Sequence, residues 1–170
     1  MRKIIICIFF VLAFICSCSE KNVTAHYWLD KAKANDTDPK KAIDYLNKAI
    51  QLQQNYADAY IIRGKIYFKL NQYQHAVEDF NETIRLQPDD FEAYKNRGIS
   101  NFKLKQYQHA IEDLDKAISL QPHDADTFKC RGYLYFEQGN KNLGCVDAKK
   151  SCDLGDCQLL KVAKGKGQCS

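Results

Sequence analysis

Most of the chain alternates apolar and polar residues at the three- and four-residue spacing of an amphipathic helix. Apolar residues at that spacing occur as Leu46, Ala49 and Ile50, as Phe80 and Ile84, and as Leu114, Ala117 and Ile118. Residues three or four apart lie on one side of a helix, so each set predicts a side that is buried against a neighbour. The pattern therefore predicts an all-α chain of short helices.

The helical pattern recurs along the chain at a fixed period. The recurring segments are DAYIIRG at 58–64, EAYKNRG at 92–98 and DTFKCRG at 126–132, with QYQHA at 72–76 and again at 106–110. Self-similarity at a fixed period of about 34 residues is typical of stacked repeats, in which each unit buries its apolar side only against the next. The sequence therefore predicts a solenoid.

This repeat resembles the tetratricopeptide repeat, which has the same length and carries aromatic, glycine, alanine and proline residues at fixed positions. The matching residues are Tyr60, Tyr94 and Phe128, then Gly64 and Gly98, Ala76 and Ala110, and Pro88 and Pro122. The resemblance covers residues 23–156 and implies about four helix-turn-helix repeats. The first and last are degenerate, because the first helix at 23–34 lacks the glycine and Gly144 replaces the usual alanine.

The residues that recur in the repeats predict where helices approach each other, begin and end. Gly64 with Ala76 is expected to let the two helices of a repeat approach closely, as is Gly98 with Ala110. The prolines end the second helix of a repeat, because proline cannot continue a helix. Asp90 and Asp124 are suited to begin the helices that follow. Tyr27 and Trp28 are expected to cap the open N-terminal end of the stack.

The N-terminus has the features of an export signal. Two basic residues precede Ile4–Ile15, about 12 apolar residues, whereas a membrane-spanning helix needs about 20. The following Ile15-Cys16-Ser17-Cys18 resembles the lipobox of bacterial lipoproteins. We therefore predict a signal peptide at 1–17, lipidation at Cys18 and a tether at 18–22. An ordinary cleaved signal with incidental cysteines is the alternative.

This resemblance implies an exported, lipid-anchored protein that faces the periplasm or the cell exterior. Ser19 after the lipidated cysteine favours the outer membrane over the inner one. Two or more acyl chains would give stable anchoring, whereas one chain gives only reversible binding.

The net charge of the chain bears on whether it binds nucleic acid. The full chain has 25 basic and 21 acidic residues. Removal of residues 1–17 takes away Arg2 and Lys3, which leaves 23 basic residues against 21 acidic ones. Nucleic-acid binding requires a strongly basic patch, so no nucleic-acid partner is expected.

The repeat family implies recognition of a protein or peptide in a groove that the first helices line. Carried over by position, the groove residues are Ile61, Ile62, Lys65, Phe68, Lys69, Lys95, Asn96, Ile99, Phe102, Lys103, Lys129, Tyr133 and Phe136. Asp58, Glu92, Asp126 and Glu137 are the acidic residues expected nearby. One interpretation is a groove for an apolar or aromatic segment that carries acidic groups. The other is that the three phenylalanines pack between repeats and the lysines are solvated.

Other chemistry is not predicted. His75 and His109 occupy equivalent repeat positions, which lie too far apart for one metal ion with bonds of about 2 Å. Glu78-Asp79 and Glu112-Asp113 are interpreted as solvated helix surface, not as a general acid and base. The sequence has no phosphate-binding glycine loop, nucleophile elbow or zinc-ligand spacing. We expect no enzyme activity, cofactor, metal or small-molecule substrate.

Five of the eight cysteines lie at or after position 130, and none lies between 19 and 129. In an exported protein such clusters predict disulfides. Cys130 is expected to be free or buried, which leaves Cys145, Cys152, Cys157 and Cys169 with three possible pairings. Residues 157–170 are predicted to form a capping helix and a cysteine-containing tail.

The leading hypothesis is a non-enzymatic adaptor or assembly factor of the bacterial cell envelope. The alternative is a thiol-based redox or metal-handling protein that uses the C-terminal cysteines, although no Cys-x-x-Cys occurs. A purely structural link between membrane and cell wall is a third possibility.

Overall fold

The computed structural model of the chain describes residues 25–35 and 37–169, which form helices joined by short turns. The first helix, α1, covers residues 25–33. The others are α2 (Pro39–Leu52), α3 (Ala57–Lys69), α4 (Tyr73–Leu86), α5 (Phe91–Lys103), α6 (Tyr107–Leu120), α7 (Ala125–Glu137), α8 (Lys141–Asp153) and α9 (Gln158–Gly165). The predicted signal peptide, the lipidation of Cys18 and the tether lie outside the described residues.

The helices stack in chain order as a solenoid. The pairs α3–α4, α5–α6 and α7–α8 pack most extensively, and each pair also packs against the next. The first helices contact one another along the row α3, α5, α7, and α9 continues that row. The prediction of an all-α solenoid of helix-turn-helix repeats is confirmed, and α9 occupies the position where a further repeat would begin.

The helix ends follow local sequence signals. Asp90 accepts a hydrogen bond from the Ala93 backbone N–H at 2.7 Å, and Asp124 accepts one from Thr127 at 2.8 Å. These side chains satisfy N–H groups that have no partner within the helix. The α4 helix ends at Leu86, two residues before Pro88, as expected.

Gly64 and Gly98 allow close packing against the second helix of their own repeats. A Cβ atom at Gly98 would lie 3.2 Å from the carbonyl oxygen of Ala110, which agrees with the predicted approach of the two helices. The nearest atom at Gly64 belongs to the ring of Phe80, 2.8 Å away, and the nearest atom at Gly98 belongs to Leu114, 3.0 Å away. Phe80 and Leu114 share one repeat position, so both glycines make room chiefly for the side chain 16 residues later, and the backbone of Ala110 also lies close to Gly98.

The N-terminal end is closed by an apolar cluster between α1, α2 and α3. Leu29 of α1 and Leu46 of α2 are fully buried there. Trp28 packs against this cluster beside Tyr45, and the Lys48 amine lies 4.3 Å from the Trp28 ring centroid. Tyr27 differs from the expectation: it is 52% exposed and touches the Trp28 ring at its edge.

The C-terminal end is covered by α9. Leu159 is buried, and one of its methyl carbons would lie 2.8 Å from a Cβ placed on Gly132. Two disulfides hold this end, Cys145–Cys169 and Cys152–Cys157. The first attaches the tail after α9 to α8, and the second spans the turn before α9.

Three arginines connect the repeats in a regular row that we call the arginine ladder. Its arginines are Arg63, Arg97 and Arg131, and each donates two hydrogen bonds of 2.5–2.9 Å to the carboxylate 16 residues later, that of Asp79, Asp113 or Asp147. Each also donates one of 2.5–2.7 Å to the residue 16 positions earlier, Asn47, Asn81 or Asp115. The ladder therefore joins both helices of a repeat to the preceding repeat.

The arginine ladder corrects one sequence-based interpretation. Asp79 and Asp113 were expected on a solvated helix surface, but they are only 3% and 5% exposed. Their neighbours Glu78 and Glu112 are the exposed members of each pair. The interpretation was wrong because the arginine that neutralises each aspartate belongs to the preceding helix, outside the range of helical periodicity.

We expect Asp113→Ala to destabilise the fold by about 3 kcal/mol, because it leaves the Arg97 guanidinium largely enclosed without its carboxylate partner. Urea unfolding followed by circular dichroism measures the difference. Glu112→Ala is the matched control on the exposed neighbour and should change the free energy of unfolding by less than about 0.5 kcal/mol. Equal effects of the two variants would contradict the structural role of the ladder.

The two disulfides should differ in their contribution to stability. Cys145 and Cys169 are separated by 24 residues and Cys152 and Cys157 by 5. From the loop lengths, removing the first as Cys145→Ser/Cys169→Ser should cost about 3.5 kcal/mol, and removing the second as Cys152→Ser/Cys157→Ser about 2 kcal/mol. Urea unfolding of the two double variants tests this, and the reverse order of stabilities would refute it.

Candidate partner-binding groove

The predicted groove residues share one side of the first helices. At about 100° per residue, Lys95, Ile99 and Lys103 of α5 lie within a sector of about 80°, roughly opposite Arg97. The corresponding residues of α3 and α7 have the same phase, because the repeat length is constant. We call this surface of α3, α5 and α7 the groove face. The arginine ladder occupies the opposite side of the same helices.

Two pockets open on the groove face. The first has a volume of about 220 Å³ and lies between α1, α2 and α3, with Ile62, Ile66 and Lys69 in its wall. The second has a volume of about 360 Å³ and lies between α5, α6 and α7. Its wall consists of Ile99, Phe102, Lys103, Leu114, Cys130, Tyr133 and Glu137.

The second pocket brings together part of the predicted groove set and adds three other residues to its wall. Ile99, Phe102, Lys103 and Tyr133 line it, as predicted groove residues. The added residues are Leu114, then Glu137, which was expected only near the groove, and Cys130, which was expected only to be free or buried. Cys130 occupies the repeat position of Ile62, which lines the first pocket. The repeat period could therefore have identified Cys130 as a groove residue.

The other predicted groove residues line neither pocket. They are Ile61, Phe68, Lys95, Asn96, Lys129 and Phe136. The Asn96 NH2 group donates a hydrogen bond to the Glu92 carbonyl at 2.7 Å, so this donor is engaged within its own helix.

The phenylalanines that recur at the repeat period are half-buried and lie against the second helix of their own repeats. The Phe68 and Tyr73 ring centroids are 5.4 Å apart, and those of Phe102 and Tyr107 are 6.1 Å apart. A Cβ atom at Gly144 would lie 2.7 Å from the ring of Phe136. These rings contribute to packing within the repeats, and Phe102 also presents a surface to the second pocket.

The groove lysines are neutralised more fully than the sequence indicated. Lys65 and Lys95 both contact the carboxylate of Glu92, at 3.2 and 3.1 Å, and Lys95 also lies 3.8 Å from Asp124. Partial burial opposes ionisation of Glu92, but hydrogen bonds from Lys95 and Lys65 outweigh it and lower its pKa. Asp124 was predicted only as a helix start, so its contribution to this charge cluster is new.

Lys129 is paired in the same way. Its amine lies 2.6 Å from Asp126 and 2.6 Å from Asp156, and these hydrogen bonds raise the lysine pKa. The hydrogen bond from Lys129, joined by one from the Gln158 backbone, lowers the pKa of Asp156. Among the described residues, Lys69 and Lys103 are the predicted groove lysines that form no ion pair, and both are exposed.

Cys130 is the free cysteine of the described residues. Burial raises the pKa of its thiol to about 11, which keeps the sulfur protonated and weakly nucleophilic at neutral pH. In the second pocket this side chain acts as a small apolar surface.

Within residues 25–35 and 37–169, no group of three metal-ligating side chains comes together. No helix in that part of the chain has the length and apolar character needed to cross a bilayer.

Comparison with known proteins agrees with the repeat and the fold. A family model described as the tetratricopeptide repeat matches residues 91–124, and a second, described as the TPR repeat, matches 64–105. A comparison with curated proteins found no match.

Several solved structures are similar. A crystal structure of MamA is 26% identical, with a TM-score of 0.74 over 82% of this chain and 81% of that one. MamA (41-end) from Desulfovibrio magneticus RS-1 is 25% identical, with a TM-score of 0.73 over 78% and 76% of the two chains. The first TPR of Spaghetti (RPAP3), bound to the HSP90 peptide SRMEEVD, is 20% identical, with a TM-score of 0.67 over 69% and 95%.

The matches and the helix arrangement lead to one conclusion: the chain carries tetratricopeptide repeats and folds as a helical solenoid of that type.

Proposed function

We propose that this chain is a non-enzymatic protein-interaction module that binds a segment of a partner protein on the groove face. The observation that carries the proposal is the second pocket, an open cavity of about 360 Å³ with mainly apolar walls. Ligand sites are commonly concave and apolar with a few polar groups at the edge, and here Lys103 and Glu137 provide those groups. The similar TPR domain that holds a peptide supports peptide docking on this fold.

The charge distribution favours an apolar anchor over an acidic one. Lys65, Lys95 and Lys129 are engaged with carboxylates of this chain, so a partner's acidic group would have to compete for them. An apolar side chain that enters the second pocket removes the surfaces of Ile99 and Tyr133 from water without such competition. We therefore propose an aliphatic or aromatic anchor residue in the partner, with charge contributing mainly through Lys69 and Lys103.

We further propose that lipidation of Cys18 holds the module on a bacterial envelope membrane, with the outer membrane favoured. The support comes from the sequence of residues 1–19, which resembles a lipoprotein signal. The two disulfides add support, because such bonds persist in oxidising compartments outside the cytoplasm.

Photo-crosslinking in cells tests the groove. A benzophenone amino acid replaces Tyr133, which is 40% exposed at the second pocket, or Leu143, which is 43% exposed on α8 and outside the groove face. We expect one envelope protein to be captured from position 133 and not from position 143. Mass spectrometry of the adduct identifies the partner and its crosslinked segment.

The same experiment with Ile99→Glu tests the pocket itself. A carboxylate in the apolar wall should reduce capture from position 133 at least tenfold, because the anchor residue would have to desolvate it. Circular dichroism checks that the variant still folds. Equal capture at positions 133 and 143, or capture that Ile99→Glu leaves unchanged, would refute binding at this pocket.

Metabolic labelling with radioactive palmitate tests the anchor. We expect the wild-type chain to incorporate the label and to sediment with membranes, Cys18→Ala to lose both properties, and Cys16→Ala to keep them. Label that persists in Cys18→Ala would refute the assignment of the modified cysteine. A wild-type chain without label would refute lipidation.

A further inference from the structure

The third repeat lacks a tyrosine that the second and fourth repeats carry beside the arginine ladder. The residue four positions after each ladder arginine is Tyr67 in the second repeat and Tyr135 in the fourth, but Asn101 in the third. Each tyrosine ring centroid lies 5.9 Å from the guanidinium carbon of its arginine. Asn101 is too short to cover the arginine and donates a hydrogen bond to Asp113 at 3.1 Å instead.

A cavity opens where the tyrosine ring lies in the other repeats. We call it the Asn101 cavity. Its volume is about 330 Å³, and its walls include Asn81, Arg97, Gln106, His109 and Glu112. Asn101 itself is 4% exposed and forms part of the floor. The cavity lies on the ladder side of α5, opposite the groove face.

The side chains that surround the ring in the second repeat are still present in the third. His75 stacks on the Tyr67 ring, with centroids 5.2 Å apart and planes at 32°. His109 has the same repeat position and lines the Asn101 cavity. Arg97 retains its contact with the aromatic residue three positions earlier, because its guanidinium carbon lies 5.5 Å from the Tyr94 centroid. The third repeat thus has the arginine and the histidine of a ring site, while the described part of the chain provides no ring there.

We propose that the Asn101 cavity binds a phenol ring, supplied either by a tyrosine side chain of a partner protein or by a free small phenol. Arg97 attracts the negative face of an aromatic ring, and His109 provides a planar stacking surface. The second and fourth repeats show that this position accommodates a phenol ring beside the ladder. This site goes beyond the groove proposed above and does not depend on it.

Titration of the isotopically labelled full chain with p-cresol, the side chain of tyrosine as a free molecule, tests the proposal by nuclear magnetic resonance. We expect saturable shifts of the His109 and Asn101 side-chain signals. The signals of His75, whose ring site is filled by Tyr67, should not move. Methylcyclohexanol has the same outline without π electrons and should bind at least tenfold more weakly. Absence of saturable shifts at His109, or equal binding of the two compounds, would overturn the proposal.

Three variants test the position of the ring site. Asn101→Tyr supplies the ring internally and should weaken p-cresol binding at least tenfold. Tyr67→Asn opens the equivalent position beside His75 and should raise the stoichiometry from one to two. His109→Ala alters an exposed residue and should weaken binding several-fold, which keeps the test valid if Asn101→Tyr does not fold. Binding that all three variants leave unchanged would place p-cresol elsewhere and overturn the assignment.

N-acetyltyrosinamide distinguishes the two sources of the ring. If it binds like p-cresol and competes with it, a tyrosine flanked by peptide bonds can enter the cavity, which supports a protein partner. If p-cresol alone binds, the cavity admits only a free phenol. Both results support a phenol site, and binding of neither compound overturns it.

Discussion

The solenoid depends on the buried pairing of each ladder arginine with an aspartate of the following helix. A carboxylate such as Asp113, 5% exposed, carries a large desolvation penalty unless a well-oriented cation satisfies it. The Arg97 guanidinium does so with two parallel hydrogen bonds, a geometry that lysine cannot provide. Its third hydrogen bond, to Asn81, reaches the preceding repeat. Sliding one repeat past the next would break these contacts, so the ladder sets the register of the stack.

The register of the stack also determines which side of each first helix remains exposed. Because the ladder occupies one side of each first helix, the opposite side is left to the groove face. The ion pairs there also cross between repeats: Lys65 reaches Glu92 of the next repeat, and Lys95 reaches Asp124. Ion pairs within the chain therefore bridge successive repeats along the groove face, and the apolar pockets lie beside them. This arrangement is the reason that the proposed partner carries an apolar anchor and not a continuous acidic segment.

The sequence predicts most of the fold because its signals are local or strictly periodic. The structure confirms three such signals: the helix start at Asp90, the helix end before Pro88 and the repeat period. Asp113 was misjudged because an acidic pair on a helix resembles solvated surface until its distant arginine is considered. The contribution of Asp124 and Asp156 to the lysine pairs required the packing of successive repeats, and the disulfide partners had three possible arrangements. Residue pairs joined only by tertiary packing are thus what sequence reasoning misses here.

The two ends of the stack are closed by different means, and the difference bears on where the protein works. The N-terminal end uses an apolar cluster around Leu29 and Leu46. The C-terminal end has only α9, a helix of 8 residues whose buried contacts are Leu159 and Ala163. An isolated helix of that length is unstable in water, so its position relies on packing and on covalent attachment of the chain on either side. The Cys152–Cys157 bond precedes α9 and the Cys145–Cys169 bond follows it. A cap of this design holds best in an oxidising compartment, the kind of location that the proposed export would provide.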